Sequence, residues 1–315
     1  MSDKKIIAVA GATGHQGGGV VRAILDDPDG GFAARAMTRD PDSDKARTLA
    51  DAGAEVVAAD LDDAGSVERA FEGAYGAFCV TFFWEHFSPE KEQAQVRTMA
   101  EAAARTGIRH AIWSTLEDTR NFMSLDDDRM PTLMERFKVP HFDAKGEANA
   151  FFTEAGVPTT FLHASFYWEN FIFFGSGPAR GPDGVLALTF PLGNAAMPGI
   201  ASEDVGRCAY GIYKRPDLIR KTVGISGEHV TGAEMAAAFT RALGEEVRYN
   251  DVPADMFRSF DFPGAEDVGN MFQFKRDFED AYRGLRDPAF ARSLNPRLMG
   301  FNEWMEANKD KIPLG

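Results

Sequence analysis

GATGHQG at residues 11–17 is the clearest indication of the fold, because it joins a short apolar run to a helical pattern. We predict a buried strand over residues 6–10 and a helix over residues 14–26 that ends before Pro28. Glycines spaced three apart allow a tight turn, close approach of the backbone to a pyrophosphate, and close packing of helix against strand. Amide groups at the start of the helix would face the anion, so this context predicts a dinucleotide-binding loop. Its candidate ligand residues are Gly11, Thr13, Gly14, His15, Gln16 and Gly17.

The first half of the chain continues this alternation of strand-like and helix-like segments. Further strands are predicted at residues 33–38, 55–59, 75–80, 110–114 and 159–162. Ser88 and Pro89 mark the start of a helix that should run to Arg105. Strands that alternate with helices imply right-handed crossovers, so we predict an α/β fold, a doubly wound Rossmann parallel sheet with a smaller C-terminal α/β lobe. The expected division is an NAD(P)-binding domain over residues 1–165 and a lobe over 166–315 that forms the pocket with it.

Composition limits the classes of function. The chain has 315 residues, of which 44% are hydrophobic as in ordinary globular proteins, and 34 basic against 48 acidic side chains give a net charge of −14. An acidic balance disfavours a direct grip on nucleic acid or on an anionic membrane, since both need a basic face. No apolar run is long enough to cross a bilayer, and neither the histidines nor the two cysteines have the spacing of a metal site. We expect a soluble, cytoplasmic protein without a metal.

Loops after the second, third and fourth predicted strands supply further cofactor candidates. Arg39 stands where NAD-binding sites usually carry an acid, and its guanidinium could fork onto a 2′-phosphate, which favours NADP(H) over NAD(H). The alternative is a surface residue paired with Asp40 or Asp42. The candidates that would border the adenine or the nicotinamide ribose are Asp60, Leu61, Thr81, Phe82 and Phe83. For the aromatic members, a place at the edge of the core is an equal alternative.

Five stretches, distributed over nearly the whole chain, carry a resemblance to a known family. They are GATGHQG at 11–17, TRDP at 38–41, HFDAKGE at 141–147, FYWEN at 166–170 and FPGAEDVGNMF at 262–272. Together they resemble the NmrA-like family of atypical short-chain dehydrogenase/reductases, in particular its NADP(H)-binding redox-sensor type. The resemblance implies a bound dinucleotide and an answer to the cell's redox state through protein partners. It also implies that the nicotinamide end is bordered by Tyr167, Trp168, Glu169 and Asn170.

The stretch HFDAKGE places a histidine where dehydrogenases of this superfamily carry a catalytic tyrosine. Their pattern is Tyr-x-x-x-Lys with a serine on a preceding strand, and here His141, Lys145 and Ser114 stand at those positions. The resemblance implies that Lys145 binds the nicotinamide ribose, and residues four apart share one face of a helix. His141 could donate a proton near neutral pH, so His141 and Lys145 are the catalytic candidates if the protein is a reductase. A structural, hydrogen-bonded histidine beside Pro140 is the favoured interpretation.

Two functions stay open at this point. The first is an NADP(H)-binding, redox-responsive regulator with little or no dehydrogenase turnover, since the nucleotide loop is intact while the tyrosine is missing. The alternative is an NAD(P)H-dependent reductase of a small apolar carbonyl, quinone or imine, which the 26 phenylalanines would suit. The resemblance includes such reductases and therefore does not separate the two. A protein partner, a small apolar substrate and a homodimer also stay open.

Overall fold

The structure is a computed structural model that describes residues 4–314. Its strands are β1 (Lys5–Val9), β2 (Phe32–Thr38), β3 (Glu55–Ala58), β4 (Gly76–Cys79), β5 (His110–Thr115), β6 (Thr159–His163), β7 (Phe166–Tyr167), β8 (Ala179–Arg180), β9 (Leu186–Phe190), β10 (Ala196–Ile200), β11 (Thr222–Gly224), β12 (Glu228–Thr231) and β13 (Val247–Asp251). Its α-helices are α1 (His15–Leu25), α2 (Asp44–Asp51), α3 (Ala64–Phe71), α4 (Pro89–Arg105), α5 (Pro140–Glu147), α6 (Asn149–Glu154), α7 (Asn170–Phe173), α8 (Ser202–Tyr213), α9 (Gly232–Leu243), α10 (Ala254–Arg258), α11 (Ala265–Asp277), α12 (Glu279–Gly284), α13 (Pro288–Leu294) and α14 (Phe301–Asn308). Short 3₁₀ turns occupy Phe83–Glu85, Thr119–Asn121, Pro216–Leu218 and Lys309–Lys311.

The largest sheet contains seven strands in the order β11-β6-β5-β4-β1-β2-β3. The pairs formed among β1 to β6 are parallel. The six predicted strands coincide with β1 to β6, which confirms the α/β class and the doubly wound parallel sheet. The strand order reverses at β1 and β4, and the loops that follow these two strands border the crevice in which such sheets bind ligands.

The chain forms two compact units, and neither is continuous in sequence. The described residues of the first unit are 4–117, 144–164 and 202–223. Those of the second unit are 118–143, 165–201 and 224–314. One crossing between the units, after residue 164, falls beside the expected boundary at 165. The division of the chain into two domains at that boundary stays a prediction.

Helix α4 shows how local sequence builds the first unit. Ser88 caps it as predicted, because its Oγ accepts a hydrogen bond from the amide of Lys91, and Pro89 occupies the first turn. One face of α4 is apolar and packs into the core of this unit. The buried cluster there includes Val96, Met99, Ala100, Ala103, Trp113 and Phe152. Burial of this face fixes the helix that follows the β4 loop.

Helices α1 and α8 approach each other through glycines. A Cβ added at Gly206 would lie 2.1 Å from the carbonyl carbon of Gly19 and 2.4 Å from the nitrogen of Val20. At the same contact, Arg22 Nε donates a hydrogen bond of 3.0 Å to Glu203 Oε2. A segment distant in sequence thus packs directly on the helix that follows the glycine loop.

The second unit contains two three-stranded sheets, in the orders β12-β10-β7 and β13-β9-β8. Its helix α9 begins with a capping box, in which Thr231 and Glu234 each accept a hydrogen bond from the other's amide. The core of this unit is rich in aromatic rings, among them Phe171, Phe190, Phe239, Phe272, Phe301 and Trp304. Within residues 4–314, none of the helices is both long and apolar enough to cross a membrane.

Candidate functional site

Glycine suits three positions in the loop between β1 and α1, one because of its backbone conformation and two because a Cβ has little room. Gly11 has a φ of +60°, a left-handed conformation that side chains disfavour. A Cβ at Gly14 would meet the Gly11 carbonyl oxygen at 3.2 Å, and the amide of Gly14 donates to that same oxygen at 2.9 Å. A Cβ at Gly17 would lie 2.4 Å from the Gly11 oxygen and 2.5 Å from that of Ala10. Helix α1 therefore starts close against the end of β1, and the glycines at its start leave the backbone uncovered by side chains.

The start of α1 is free of negative charge. Gly14 precedes the helix in an extended conformation, no side chain caps it, and its first turn carries no acidic residue. Thr13 is half-buried and His15 is exposed. Gln16 is anchored, because Ser114 Oγ at the end of β5 donates a 2.7 Å hydrogen bond to Gln16 Oε1. A helix start with these properties suits a pyrophosphate, whose charge the helix dipole favours.

Arg39 lies on the loop after β2, with its side chain 66% exposed. Its Nη1 donates a 2.8 Å hydrogen bond to Oε1 of Glu85, in the short turn after β4. The carboxylate of Asp40 instead accepts a hydrogen bond from the amide of Asp42. The partner of Arg39 is thus Glu85 rather than Asp40 or Asp42, the neighbours considered from the sequence. No pattern in the sequence indicated this long-range pair.

The other candidates after β3 and β4 differ in exposure. The amide of Asp60 donates to Ser66 Oγ at 2.9 Å, and Leu61 packs, half-buried, against the core cluster of the first unit. Phe83 is buried, whereas Phe82 is 52% exposed. Phe83 therefore contributes to the core, and Phe82 offers an accessible ring beside the crevice. That these residues touch a cofactor stays a prediction.

Lys145 is buried in the first unit and pairs with a carboxylate that the sequence analysis missed. Its Nζ lies 2.5 Å from Glu92 Oε1 on α4 and donates a 2.6 Å hydrogen bond to Thr81 Oγ1 after β4. Thr81 Oγ1 in turn donates to the same Glu92 oxygen. The ammonium also lies 4.9 Å from the centroid of the Trp113 ring. The predicted ribose ligand is thereby held at the carboxyl end of β4, next to the crevice.

Glu92 carries its negative charge without access to water. Its side chain is fully buried; this burial is the largest effect on its pKa and raises it, but Lys145, His86 and Thr81 together lower the pKa to about 2. His86 Nδ1 accepts the amide of Ser88, and its Nε2 lies 3.5 Å from Glu92 Oε2. The signal that sequence analysis could have used is position, because Glu92 lies on the face of α4 that also buries Val96 and Met99.

His141 lies in the second unit, and the crossing of the chain between the units falls between it and Lys145 on α5. Asp267 holds it twice: His141 Nδ1 lies 2.6 Å from Oδ1, and its amide donates to Oδ2 at 3.1 Å. Both side chains are buried. A carboxylate at one ring nitrogen orients the imidazole, which suits a structural histidine and an acid–base histidine alike. The catalytic role of His141 therefore stays a prediction.

The predicted nicotinamide border at residues 167–170 also belongs to the second unit. Tyr167 is half-buried, and Trp168 is buried against Phe301 and Trp304. Trp304 Nε1 donates a 3.1 Å hydrogen bond to Glu169 Oε1, and Asn170 begins α7. These contacts stabilise the stretch within its own unit, and its contact with a cofactor stays a prediction.

Comparison with known proteins identifies relatives over most of the chain. The NmrA-like oxidoreductase FrzB of a Cladobotryum species is 32% identical over 290 residues, which are 85% of this chain and 83% of the relative. The structure of NmrA, a negative transcriptional regulator, has been solved with NADP and with NAD. Each of the two NmrA complexes superimposes on this chain with a TM-score of 0.77 at 23% identity, over 96% of this chain and 95% of the NmrA chain. A Citrobacter triphenylmethane reductase complexed with NADP(H) gives a TM-score of 0.73 at 18% identity, over 98% and 99% of the two chains.

The family model adds the decisive match. The model described as the NmrA-like family covers residues 3–305 and so includes all five stretches that carried the resemblance. The glycine loop, the strands of the seven-stranded sheet and Lys145 all lie within the matched range. The chain belongs to the NmrA-like family.

Proposed function

We propose that this protein binds NADP(H) in the crevice of its seven-stranded sheet and acts as a redox-responsive regulator with little or no turnover. One observation carries the proposal: the first unit keeps a bare glycine loop and a buried Lys145, while the position of the catalytic tyrosine holds His141. The residues expected to bind the dinucleotide are therefore present, whereas the tyrosine that usually donates the proton is missing. The likeness to NmrA, a negative transcriptional regulator, supports this proposal.

In this proposal, three parts of the dinucleotide would have partners in the first unit. The pyrophosphate would lie over residues 11–17, where backbone can approach it closely. Arg39 would bind the 2′-phosphate with its exposed guanidinium, which is why we favour NADP(H) over NAD(H). Lys145 would contact the nicotinamide ribose from beside Thr81. NmrA structures with NADP and with NAD support a nicotinamide dinucleotide of either kind, so the preference depends on Arg39.

A regulator of this kind would act through a protein partner. The net charge of −14 disfavours a direct grip on nucleic acid, because phosphate backbones repel an acidic surface. Reduced and oxidised NADP differ by one positive charge on the nicotinamide ring, and a regulator needs only different affinities or conformations for the two. The partner would then bind one of the two states more tightly.

A reductase is the second candidate, because two similar proteins are named an oxidoreductase and a reductase. FrzB, at 32% identity, is named an oxidoreductase, and the Citrobacter relative is a reductase. In this alternative the nicotinamide gives a hydride to a small apolar carbonyl, quinone or imine. His141, oriented by Asp267, would be the candidate proton donor.

Turnover distinguishes the two candidates. The protein is first titrated with NADPH to show that it is loaded, and NADPH oxidation is then followed with a panel of small aldehydes, quinones and imines. We expect saturable binding with turnover far below the ordinary enzyme range, which is roughly 1–1000 per second. Reduction of a panel member within that range would overturn the regulatory proposal. His141→Gln would then test the donor, because it should lower turnover without weakening NADPH binding.

A further inference from the structure

The ion pair between Arg39 and Glu85 connects the loops on either side of β1, at the crevice. Arg39 follows β2 and Glu85 lies in the turn after β4, and these two strands flank β1 on either side. Their 2.8 Å contact therefore joins the two loops that border the glycine loop after β1. A dinucleotide at that loop has to approach the backbone between these two side chains.

The pair is exposed and lies in acidic surroundings. The side chains of Arg39 and Glu85 are 66% and 48% exposed, so the contact is weak enough to be exchanged for another anion. The hydrogen bond that Arg39 donates to Glu85 raises the pKa of Arg39 most, and the nearby carboxylates of Asp60 and Asp62 raise the pKa further. Arg39 is thus the cationic centre of a group of acids, and a phosphate that binds it has to compete with them.

We propose that Glu85 is a specificity-determining residue, which occupies the Arg39 guanidinium in the unliganded protein and must be displaced by the 2′-phosphate of NADP(H). This inference rests on the proposed function, since it takes Arg39 as the 2′-phosphate ligand. A phosphate can displace the carboxylate because it carries more charge and can accept two parallel hydrogen bonds from the guanidinium, whereas Glu85 accepts one from Nη1.

NAD(H) does not meet this competition. Its adenine ribose presents a neutral hydroxyl, which has no need of the guanidinium and leaves the ion pair in place. Glu85 therefore lowers the affinity for NADP(H) more than the affinity for NAD(H). The chain's preference for the phosphorylated cofactor is smaller than Arg39 alone would give.

The test is a set of calorimetric titrations with NADPH and NADH on the full chain. The variants are Glu85→Gln, Arg39→Ala and the double variant. Glu68→Gln is the matched control, because Glu68 forms an ion pair of the same 2.8 Å length with Arg105 at similar exposure, away from this crevice. Adenosine 2′,5′-bisphosphate and adenosine 5′-monophosphate, titrated in parallel, isolate the 2′-phosphate from the nicotinamide half.

For Glu85→Gln we expect the ratio of the NADH to the NADPH dissociation constant to rise about three- to fivefold, as suits an exposed ion pair. The affinity for adenosine 2′,5′-bisphosphate should rise by the same factor relative to the affinity for adenosine 5′-monophosphate. The double variant should show the ratio of Arg39→Ala, because without the guanidinium there is nothing to compete for. Glu68→Gln should leave the ratio at the wild-type value.

Two outcomes overturn the inference and differ in what they imply for the cofactor. If Arg39→Ala lowers the ratio but Glu85→Gln leaves it at the wild-type value, Glu85 does not compete, and the cofactor assignment stands. If Arg39→Ala itself leaves the ratio unchanged, Arg39 does not bind the 2′-phosphate. In that case the NADP(H) preference fails together with the inference.

Discussion

Lys145 shows at the scale of a single residue what burial demands of its neighbours. An ammonium taken out of water is costly unless a carboxylate and further hydrogen bonds accompany it. Glu92 and Thr81 supply these within 2.5 and 2.6 Å. These contacts fix the amine in place, which a ribose ligand requires. The family pattern predicts the lysine, and the structure adds the carboxylate that keeps it there.

Removal of one charge from this pair should therefore lower the free energy of unfolding more than removal of both charges. Glu92→Gln leaves Lys145 buried without its counter-charge, and we expect a loss of about 3 kcal/mol in the free energy of unfolding. Glu92→Gln combined with Lys145→Met should lose less than Glu92→Gln alone. Denaturant unfolding of the single and double variants measures both values.

The matched control for this cycle is Glu101→Gln, which changes an exposed acid on the same helix and should stay within about 0.5 kcal/mol of the wild type. If Glu92→Gln unfolds like that control, the buried pair does not stabilise the first unit. A double variant that loses the sum of the two single losses would also contradict the account, since it would mean that the charges act independently.

At the scale of elements, the position of α1 is set from two sides. Gly17 lets its first turn approach the end of β1, and Gly19 lets its flank approach Gly206 on α8. In both contacts the obstructing atoms belong to the backbone, so no change of rotamer could make room for a methyl group. Direct backbone contacts at these glycines therefore set the position of α1, whose first amides face the crevice.

Gly206→Ala should therefore destabilise the protein, by about 2–3 kcal/mol, because the new Cβ would overlap the backbone of Gly19 and Val20. Thermal and denaturant unfolding measure the loss. Gly65→Ala is the control: its Cβ would meet only the ends of the Arg69 and Asp63 side chains, at 3.3 and 3.4 Å. Equal stability of the two variants would contradict the close contact of α1 and α8.

Local patterns were sufficient to predict β1 to β6 and the helices α1 and α4, but not the long-range partners of their side chains. The apolar runs gave β1 to β6, and Ser88 with Pro89 gave the start of α4, because strands and caps are encoded by neighbouring residues. Glu92 and Glu85 escaped prediction, since their partners lie 53 and 46 residues away in the chain. Such contacts depend on which loops the sheet order brings together.

The whole molecule adds an arrangement that no local pattern encodes. The chain passes between its two units several times, so α8 joins the first unit although it follows a long segment of the second. A contiguous division at residue 165 is the simplest expectation from a change of pattern. That boundary stays a prediction, and the compact units reflect which surfaces bury one another, as α8 does on α1 through Gly206.

We propose above all that a dinucleotide binds over the glycine loop of the first unit. Calorimetric titration of the wild type and of Gly14→Ala with NADPH tests it most directly, with circular dichroism to show that both are folded. Gly14 is exposed, and a methyl group there would stand between the backbone and the pyrophosphate. We predict saturable binding by the wild type, at least about tenfold weaker in Gly14→Ala. Absence of binding by the wild type, or equal affinity in the folded variant, would contradict the account.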